Sequence, residues 1–141
     1  MCESIFLTSS NEYSKRTAIF EDNGISGWLY LTCPNDNKII RDCWIYNRIS
    51  APDFFEISKY KNGPPPASVE YAGENSCMQD PFEEGFHFKW SPDGNAVALL
   101  FENTPLGYIT LKNEKGYSKN LVKPGPWGDL LNQKDYEELF N

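Results

Sequence analysis

The side chains that could perform catalysis are few in this sequence and form no established catalytic pattern. His87 is the only histidine among 141 residues, so a histidine-assisted nucleophile would have to use it. It alternates with aromatic residues in Phe86-His87-Phe88-Lys89-Trp90, the pattern of a strand with one solvated face. The sequence shows no Gly-x-Ser-x-Gly elbow, phosphate-binding glycine loop or His-Glu-x-x-His pair. It therefore predicts no catalytic residue and favours a protein that is not an enzyme.

Carboxylates are the most abundant reactive groups, since Asp and Glu together number 20. Two of them placed across a cleft could act as general acid and base in sugar hydrolysis. Asp22 and Asp93, however, stand in the turn sequences Asp22-Asn23-Gly24 and Ser91-Pro92-Asp93-Gly94, where aspartate shapes the backbone. A hydrolase that uses a carboxylate pair is therefore an alternative and not the main prediction.

The four cysteines, Cys2, Cys33, Cys43 and Cys77, are scattered without a Cys-x-x-Cys pair. Zinc sites usually bring their ligands in close pairs, so the spacing predicts no metal site, and no cofactor motif is present. Cys33 and Cys43 could lie on neighbouring strands and form a disulfide in an oxidising compartment. In the cytoplasm they would be buried thiols.

The charge balance excludes one class of partner. The formal net charge is −7, whereas a nucleic-acid binder needs clustered Lys and Arg to contact phosphates. The first residues form no secretion signal, and no apolar run is long enough to cross a membrane. We therefore expect a cytoplasmic protein that binds neither nucleic acid nor membrane.

Most of the chain reads as short antiparallel strands separated by turns. Asn23-Gly24 supplies the backbone angles of a hairpin, and Ala96 to Phe101 is apolar on both faces, as in a covered central strand. Further strands are predicted at Ser68 to Ala72 and at Tyr117 to Val122, and the spacing of the last apolar residues predicts a short C-terminal helix. The prediction is one mainly β domain over residues 1–141. Its antiparallel meander would form a bent sheet, a small sandwich or a partly open barrel.

Residues 50–84 interrupt this pattern with a loop-rich excursion. Ser50-Ala51-Pro52-Asp53 predicts the start of a short helix, and aromatic residues stand among acids in the segment that follows. Aromatic anchors with acids that steer a basic partner are typical of protein-binding surfaces. The predicted partner-binding residues are Phe54, Phe55, Glu56, Tyr60, Tyr71, Glu74, Asp80, Phe82, Glu83 and Glu84. The alternative is a structural lid over an open part of the sheet.

Two separated stretches carry a resemblance. The first is Ala18-Ile19-Phe20-Glu21-Asp22-Asn23-Gly24 with Gly27-Trp28-Leu29-Tyr30 and Trp44-Ile45-Tyr46-Asn47. The second is Trp90-Ser91-Pro92-Asp93-Gly94-Asn95-Ala96-Val97-Ala98-Leu99-Leu100 with Gly116-Tyr117 and Pro126-Trp127. Over residues 17–49 and 86–128 the chain resembles a family of short bacterial β-rich proteins whose function has not been assigned. The shared motifs are turns and strands, so the resemblance implies a fold and not a chemistry.

These observations together favour a non-catalytic immunity protein, which binds and neutralises a cognate bacterial toxin. Many such toxins are basic enzymes acting on nucleic acid, and an acidic cover would complement one. We expect a monomer or a homodimer. One alternative is a small-ligand-binding or regulatory β module, which would need an internal cavity lined by Trp28, Trp44, Phe88 and Trp90. The other is the hydrolase.

Overall fold

The computed structural model describes residues 4–60, 63–73 and 76–140. Within these ranges the chain forms nine strands, two α-helices and two short 3₁₀ helices. The strands are β1 (Ile5–Ser10), β2 (Thr17–Asp22), β3 (Ser26–Thr32), β4 (Ile39–Asn47), β5 (Phe86–Trp90), β6 (Val97–Phe101), β7 (Thr104–Ile109), β8 (Tyr117–Ser118) and β9 (Asp129–Leu130). The helices are α1 (Val69–Ala72) and α2 (Gln133–Phe140), and the 3₁₀ helices cover Phe54–Lys59 and Glu83–Gly85.

The strands form two sheets in chain order, β1-β2-β3-β4 and β5-β6-β7-β8-β9. All neighbouring strands are antiparallel except β8 and β9, which run parallel. The predicted mainly β fold with a short C-terminal helix is confirmed. Among the arrangements considered, the described residues form two sheets packed face to face and no closed barrel.

Two turns read from the sequence set the hairpins. At the β2–β3 turn Gly24 has φ 88°, and its N–H donates to Asp22 Oδ1 at 2.8 Å. At the β5–β6 turn Gly94 has φ 72°, a conformation that glycine adopts without steric cost. There Asp93 Oδ1 accepts from the Asn95 N–H and the Ser91 hydroxyl, and these hydrogen bonds lower the pKa of Asp93. The predicted turn role of both aspartates is confirmed.

The main core lies between the two sheets. Apolar residues that alternate along β2, β3 and β4 meet those of β6 and β7, and Phe20 packs against Phe86 with ring centroids 4.8 Å apart. Its fully buried members include Phe20, Leu29, Leu31, Ile45, Val97, Leu99 and Ile109. Burial of each such side chain contributes about 1.5–3 kcal/mol, so this layer is the main source of stability.

Strand β4 joins the two sheets at its free edge. The Gly116 N–H donates to the Asp42 carbonyl at 3.1 Å, and Asn120 Nδ2 donates to the Ile45 carbonyl at 2.9 Å. A Cβ at Gly107 would lie 2.7 Å from Ile45 Cδ1 and 2.9 Å from the Tyr117 carbonyl oxygen, so both neighbours would have to move. The glycine therefore permits β7 to approach β4 closely.

Helix α2 covers the outer face of the second sheet. Tyr136 and Phe140, one turn apart on the helix, are buried against Ala98 and Tyr108. The rings of Tyr108 and Phe140 meet edge to face at 5.6 Å. The outer face of the second sheet, which α2 covers, and the outer face of the first sheet lie on opposite sides of the sandwich.

Two predicted strands differ from the structure. Ser68 to Ala72 contains the short helix α1, because the Tyr71 and Ala72 N–H groups both donate locally to the Ser68 carbonyl and not to a neighbouring strand. The strand predicted over Tyr117 to Val122 ends at Ser118. After Gly128 the chain returns to pair with β8 as the parallel strand β9.

The buried Cys43 thiol and Tyr46 hydroxyl make the stability of the fold depend on pH in the alkaline range. Burial raises the pKa of Cys43, and burial together with the hydrogen bond to Asp22 raises that of Tyr46. As pH rises above the ordinary values of 9.0 and 10.0, the unfolded chain loses these protons before the folded chain does. Stability is therefore complete below these values and falls above them, by about 1.4 kcal/mol per pH unit for each group.

Urea unfolding at a series of pH values from 8 to 11 measures this loss. The Cys43→Ala variant should be less stable than the natural chain at pH 8, but its stability should fall less steeply between pH 9 and 11. Equal slopes for the two chains would contradict the assignment.

Candidate protein-binding surface

The first half of the excursion is built on two tryptophans of the first sheet. Trp28 and Trp44 point away from the main core and form a second apolar cluster with Ala67, Ala72 and Trp127. Trp28 Nε1 donates to the Pro65 carbonyl at 3.3 Å, so an indole on β3 holds the excursion by its backbone.

Asn47, at the end of β4, holds the same segment through hydrogen bonds to its backbone. Its side-chain Nδ2 donates to the Ala67 carbonyl, and its Oδ1 accepts from the Ala67 N–H, both at 2.9 Å. The Oδ1 also accepts from Trp44 Nε1 at 3.0 Å. Since these three bonds are buried, they fix the backbone at Ala67 over the outer face of the first sheet.

The outer side of this segment presents aromatic side chains to solvent. In the 3₁₀ helix Phe54–Lys59 no residue is buried, and Phe54 and Phe55 are 54% and 81% exposed. The helix begins after Asp53, whose N–H donates to Glu56 Oε1 at 3.3 Å. A short helix is therefore present as predicted, but it is a 3₁₀ helix whose N-cap is Asp53 and not Ser50, which the sequence suggests as the cap.

Trp127 supports these rings from beneath. Phe54 meets it edge to face at 6.3 Å, and Tyr71 packs on it at 5.2 Å. Val122, which is 59% exposed, lies next to Tyr71, because its N–H donates to the Tyr71 carbonyl at 2.7 Å. We call Phe54, Phe55, Tyr71 and Val122 the excursion patch.

Both signs of charge border the excursion patch. Asp53 and Glu70 are exposed, while Glu56 pairs with Lys59 at 3.3 Å. The Lys123 ammonium lies 4.8 Å from the centre of the Tyr71 ring. The patch is thus an apolar centre with a polar rim, the arrangement usual at protein interfaces.

The other predicted binding residues lie elsewhere. Phe82, 44% exposed, packs on Phe101 of the second sheet with ring centroids 5.1 Å apart. Glu83 and Glu84 form the 3₁₀ helix that follows it, and both are exposed, as is Asp80. Asp80, Glu83 and Glu84 thus form an acidic group beside Phe82, just before β5 begins. We call these four residues the acidic end.

Two predicted residues belong to neither group. Tyr60 is half-buried in a groove of about 360 Å³ beside the β2–β3 turn, with Asn23 and Pro64 among its lining residues. Glu74 lies outside the described residues. The structure therefore brings Phe54, Phe55, Glu56 and Tyr71 together and places Asp80, Phe82, Glu83 and Glu84 at a second location.

Sequence reasoning missed Val122 and Trp127 as parts of the surface. Trp127 stands in Pro124-Gly125-Pro126-Trp127-Gly128, which reads only as a break in the sheet. The ring of Tyr71 lies directly against Gly125, so this glycine lets the loop reach the aromatic cluster. A tryptophan between glycines is the one signal that could have indicated a packing role.

The histidine and cysteines considered for chemistry lie in different parts of the fold. The His87 side chain is exposed on β5, opposite Leu100. In the part of the chain that the structure describes, no three His, Cys, Asp or Glu side chains are placed to hold a metal ion. Cys33, Cys43 and Cys77 are free thiols, so the possible Cys33–Cys43 disulfide is not formed.

Asp22 has a larger role than its turn predicts. It is fully buried, and its Oδ2 accepts from the Tyr46 hydroxyl at 2.6 Å and from Arg48 Nη1 at 2.9 Å. Because these bonds saturate a carboxylate that solvent does not reach, the cluster holds β2 to β4 and offers no access to a substrate.

The four aromatics proposed to line an internal cavity are separated by the first sheet. Trp28 and Trp44 lie on its outer side, whereas Phe88 and Trp90 pack against the core between the sheets. They therefore do not surround one ligand site.

Comparison with protein-family models, with curated proteins and with solved structures found no match. The resemblance to short bacterial β-rich proteins therefore stays a prediction. None of the helices in the described ranges has the length and apolar character needed to cross a bilayer.

Proposed function

We propose that this chain is a cytoplasmic immunity protein without catalytic activity, which neutralises a cognate bacterial toxin by binding it through the excursion patch. The observation that carries the proposal is the exposure of Phe54 and Phe55, 54% and 81%, side by side on a short helix. A few residues supply most of the binding energy at a protein interface, and large aromatic side chains are enriched in interface cores. This pair is suited to that role.

The support beneath the patch favours tight binding. Trp127 contacts both Phe54 and Tyr71, and the segment is fixed to the first sheet through Asn47. A surface that is already ordered loses little conformational entropy when a partner binds. In this proposal the same segment covers the first sheet with its inner side and binds the toxin with its outer side.

The charge of the chain favours a basic partner. The net charge is −7, and Asp80, Glu83 and Glu84 concentrate part of it at the acidic end. An acidic protein attracts a basic toxin over distances of about a Debye length and raises the rate of encounter. The acidic end would act in this encounter and the excursion patch in the bound complex.

We expect Phe55→Ala to weaken binding by about 30-fold or more, since interface anchors of this type contribute about 2 kcal/mol or more. The probe is the toxin-domain protein encoded by the reading frame next to the gene for this chain, and the measurement is isothermal titration calorimetry. Thermal unfolding should be nearly unchanged, because an exposed side chain contributes little to stability.

Phe6→Ala is the matched control. Phe6 is 62% exposed on β1, in the first sheet but outside the excursion patch, and its loss should leave the affinity unchanged. Equal effects of the two substitutions, or none from Phe55→Ala, would refute the assignment of the surface.

A second test addresses steering. The triple change Asp80→Lys, Glu83→Lys and Glu84→Lys should slow association about tenfold at low salt, because it reverses the field at the acidic end. Stopped-flow association rates at several salt concentrations measure it. The difference from the natural chain should shrink as salt screens the charges.

Glu12→Lys, at an exposed position between β1 and β2, reports the effect of a charge change away from the acidic end. We divide the fall in association rate by the number of charges reversed. If Glu12→Lys and the triple change gave the same value, the proposal that the acidic end steers the encounter would be wrong.

A further inference from the structure

Strand β1 forms an edge of the first sheet. It pairs with β2 in an antiparallel register, and in the described part of the chain no other strand pairs with it. The side chains of Phe6, Thr8 and Ser10 are exposed, whereas Ile5 is buried. The outer side of this edge is therefore open to a further strand.

The hydrogen bonds to β2 decide which backbone groups of β1 face outward. The Asn11 N–H donates to the Arg16 carbonyl at 2.8 Å, and the register of this pair continues along the whole strand. In an antiparallel ladder every second residue bonds to the neighbouring strand, so the odd-numbered residues of β1 bond to β2. The even-numbered residues turn their N–H and C=O groups outward, and these are Phe6, Thr8 and Ser10.

Strand β1 lacks the features that usually protect a sheet edge. Natural edge strands are often very short, interrupted by a bulge, or supplied with charged residues or proline, which prevent another strand from joining. β1 has six residues, none of them charged and none proline, and its register has no shift. By comparison, β5 carries Lys89, β9 has two residues, and the free edge of β4 contacts Gly116 and Asn120.

The outward groups of β1 are complementary to those of a second copy. When Thr8 faces Thr8 of the second copy in an antiparallel pair, Phe6 faces Ser10, and every outward N–H meets an outward C=O. This is the symmetry of a two-fold dimer, in which both chains use the same surface. Threonine pairs on adjacent strands are favourable, and no charged residues face each other within the paired strands.

The charge of the chain also favours a second copy over the basic toxin at this edge. Two chains of net charge −7 repel each other, and an uncharged strand is a place where they can approach. A basic partner is attracted to acidic surfaces, and β1 is not one.

We propose that two copies of this chain dimerise through β1, so that their four-stranded first sheets join into one continuous sheet. The pairing uses the backbone of Phe6 and does not depend on its ring. Because β1 lies outside the excursion patch, each copy keeps its own patch. Dimerisation is therefore separate from toxin binding and does not rest on it.

Sedimentation equilibrium of the full chain from about 1 to 500 µM tests the dimer, because association depends on concentration. The apparent mass should rise from 16.2 kDa toward twice that value. Hydrogen exchange at both ends of this range locates the contact. The amides of Phe6, Thr8 and Ser10 should be protected only at the high concentration, and those of Leu7 and Ser9 at both.

Three substitutions at Thr8 test the position of the two-fold axis. Thr8→Lys and Thr8→Glu each place two like charges opposite each other, so each should weaken dimerisation about fivefold or more. An equal mixture of these two variants should recover the dimer, since opposite charges then meet. Thr8→Val is the matched control, which keeps the backbone and the charge and should dimerise as the natural chain does. Thr8 is exposed, and thermal unfolding should show that all three variants fold.

Several outcomes would overturn the proposal. A chain that stays monomeric at the highest concentration would exclude a second copy and leave the edge to a strand of another protein. Unchanged dimerisation of Thr8→Lys and Thr8→Glu, or no recovery when they are mixed, would exclude pairing about Thr8. None of these results bears on toxin binding, because Phe55→Ala tests that surface separately.

Discussion

Replacement of Asp22 by alanine should cost about 3–5 kcal/mol of unfolding free energy, the cost expected when one partner of a buried ion pair is removed. The Asp22 carboxylate is fully buried, and it faces the Arg48 guanidinium and the Tyr46 hydroxyl. Its loss would leave the Arg48 charge, whose side chain is 9% exposed, without the carboxylate that faces it. Because a domain of this size is stable by about 5–15 kcal/mol, the effect should be large.

Asp36→Ala is the control for this experiment. Asp36 also accepts a hydrogen bond from the backbone two residues later, the Lys38 N–H at 3.1 Å, but it is exposed and lies in the β3–β4 connection. Its loss should cost less than about 1 kcal/mol. Urea unfolding measures both variants, and a cost below about 1 kcal/mol for Asp22→Ala would contradict the buried pair.

The second large effect is expected at Trp44. The side chain is fully buried beneath the excursion, and truncation to alanine should cost about 3–5 kcal/mol through lost burial and an unfilled cavity. It would also remove the indole N–H that donates to Asn47, the residue that fastens Ala67. We therefore expect residues 51–60 and 63–72 to lose order before the strands of the first sheet.

Hydrogen exchange distinguishes this local effect from a general one. Amides of residues 51–60 and 63–72 should exchange much faster in Trp44→Ala, and those of β6 should change only as far as global stability requires. Trp44→Phe should keep most of the packing and lose only the hydrogen bond to Asn47, so its effect should be smaller. Uniform acceleration throughout the protein would show that the excursion is not held by Trp44.

Local signals predicted much of the fold. Asn23-Gly24 and Ser91 to Gly94 specify their turns through the positive φ of a glycine and the hydrogen bonds of an aspartate, and Ala96 to Leu99 are buried on both faces of the sheet as expected. Ser68 to Ala72 was misread because its few residues suit a strand or a helical turn equally, and only the surrounding contacts decide. The parallel pairing of β8 and β9 depends on a return of the chain that no local pattern marks.

The surface was less predictable because exposure depends on tertiary packing. Phe54 and Phe82 look alike in the sequence, as aromatics beside acids, yet the structure places one over Trp127 and the other over Phe101. Asp22 shows the same limit in the core. Its turn sequence accounts for one hydrogen bond, whereas its contacts with Tyr46 and Arg48 arise only when β2 and β4 come together through β3.

We propose that the molecule protects by covering a partner and not by catalysis. The most direct measurement is the residual activity of the neighbouring frame's toxin as this chain is added in increasing molar ratio. We predict that inhibition rises linearly and is complete at a molar ratio of one chain per toxin binding site. The toxin should be recovered intact after dissociation. Complete inhibition at a small fraction of one equivalent, or a toxin that stays chemically altered, would contradict it.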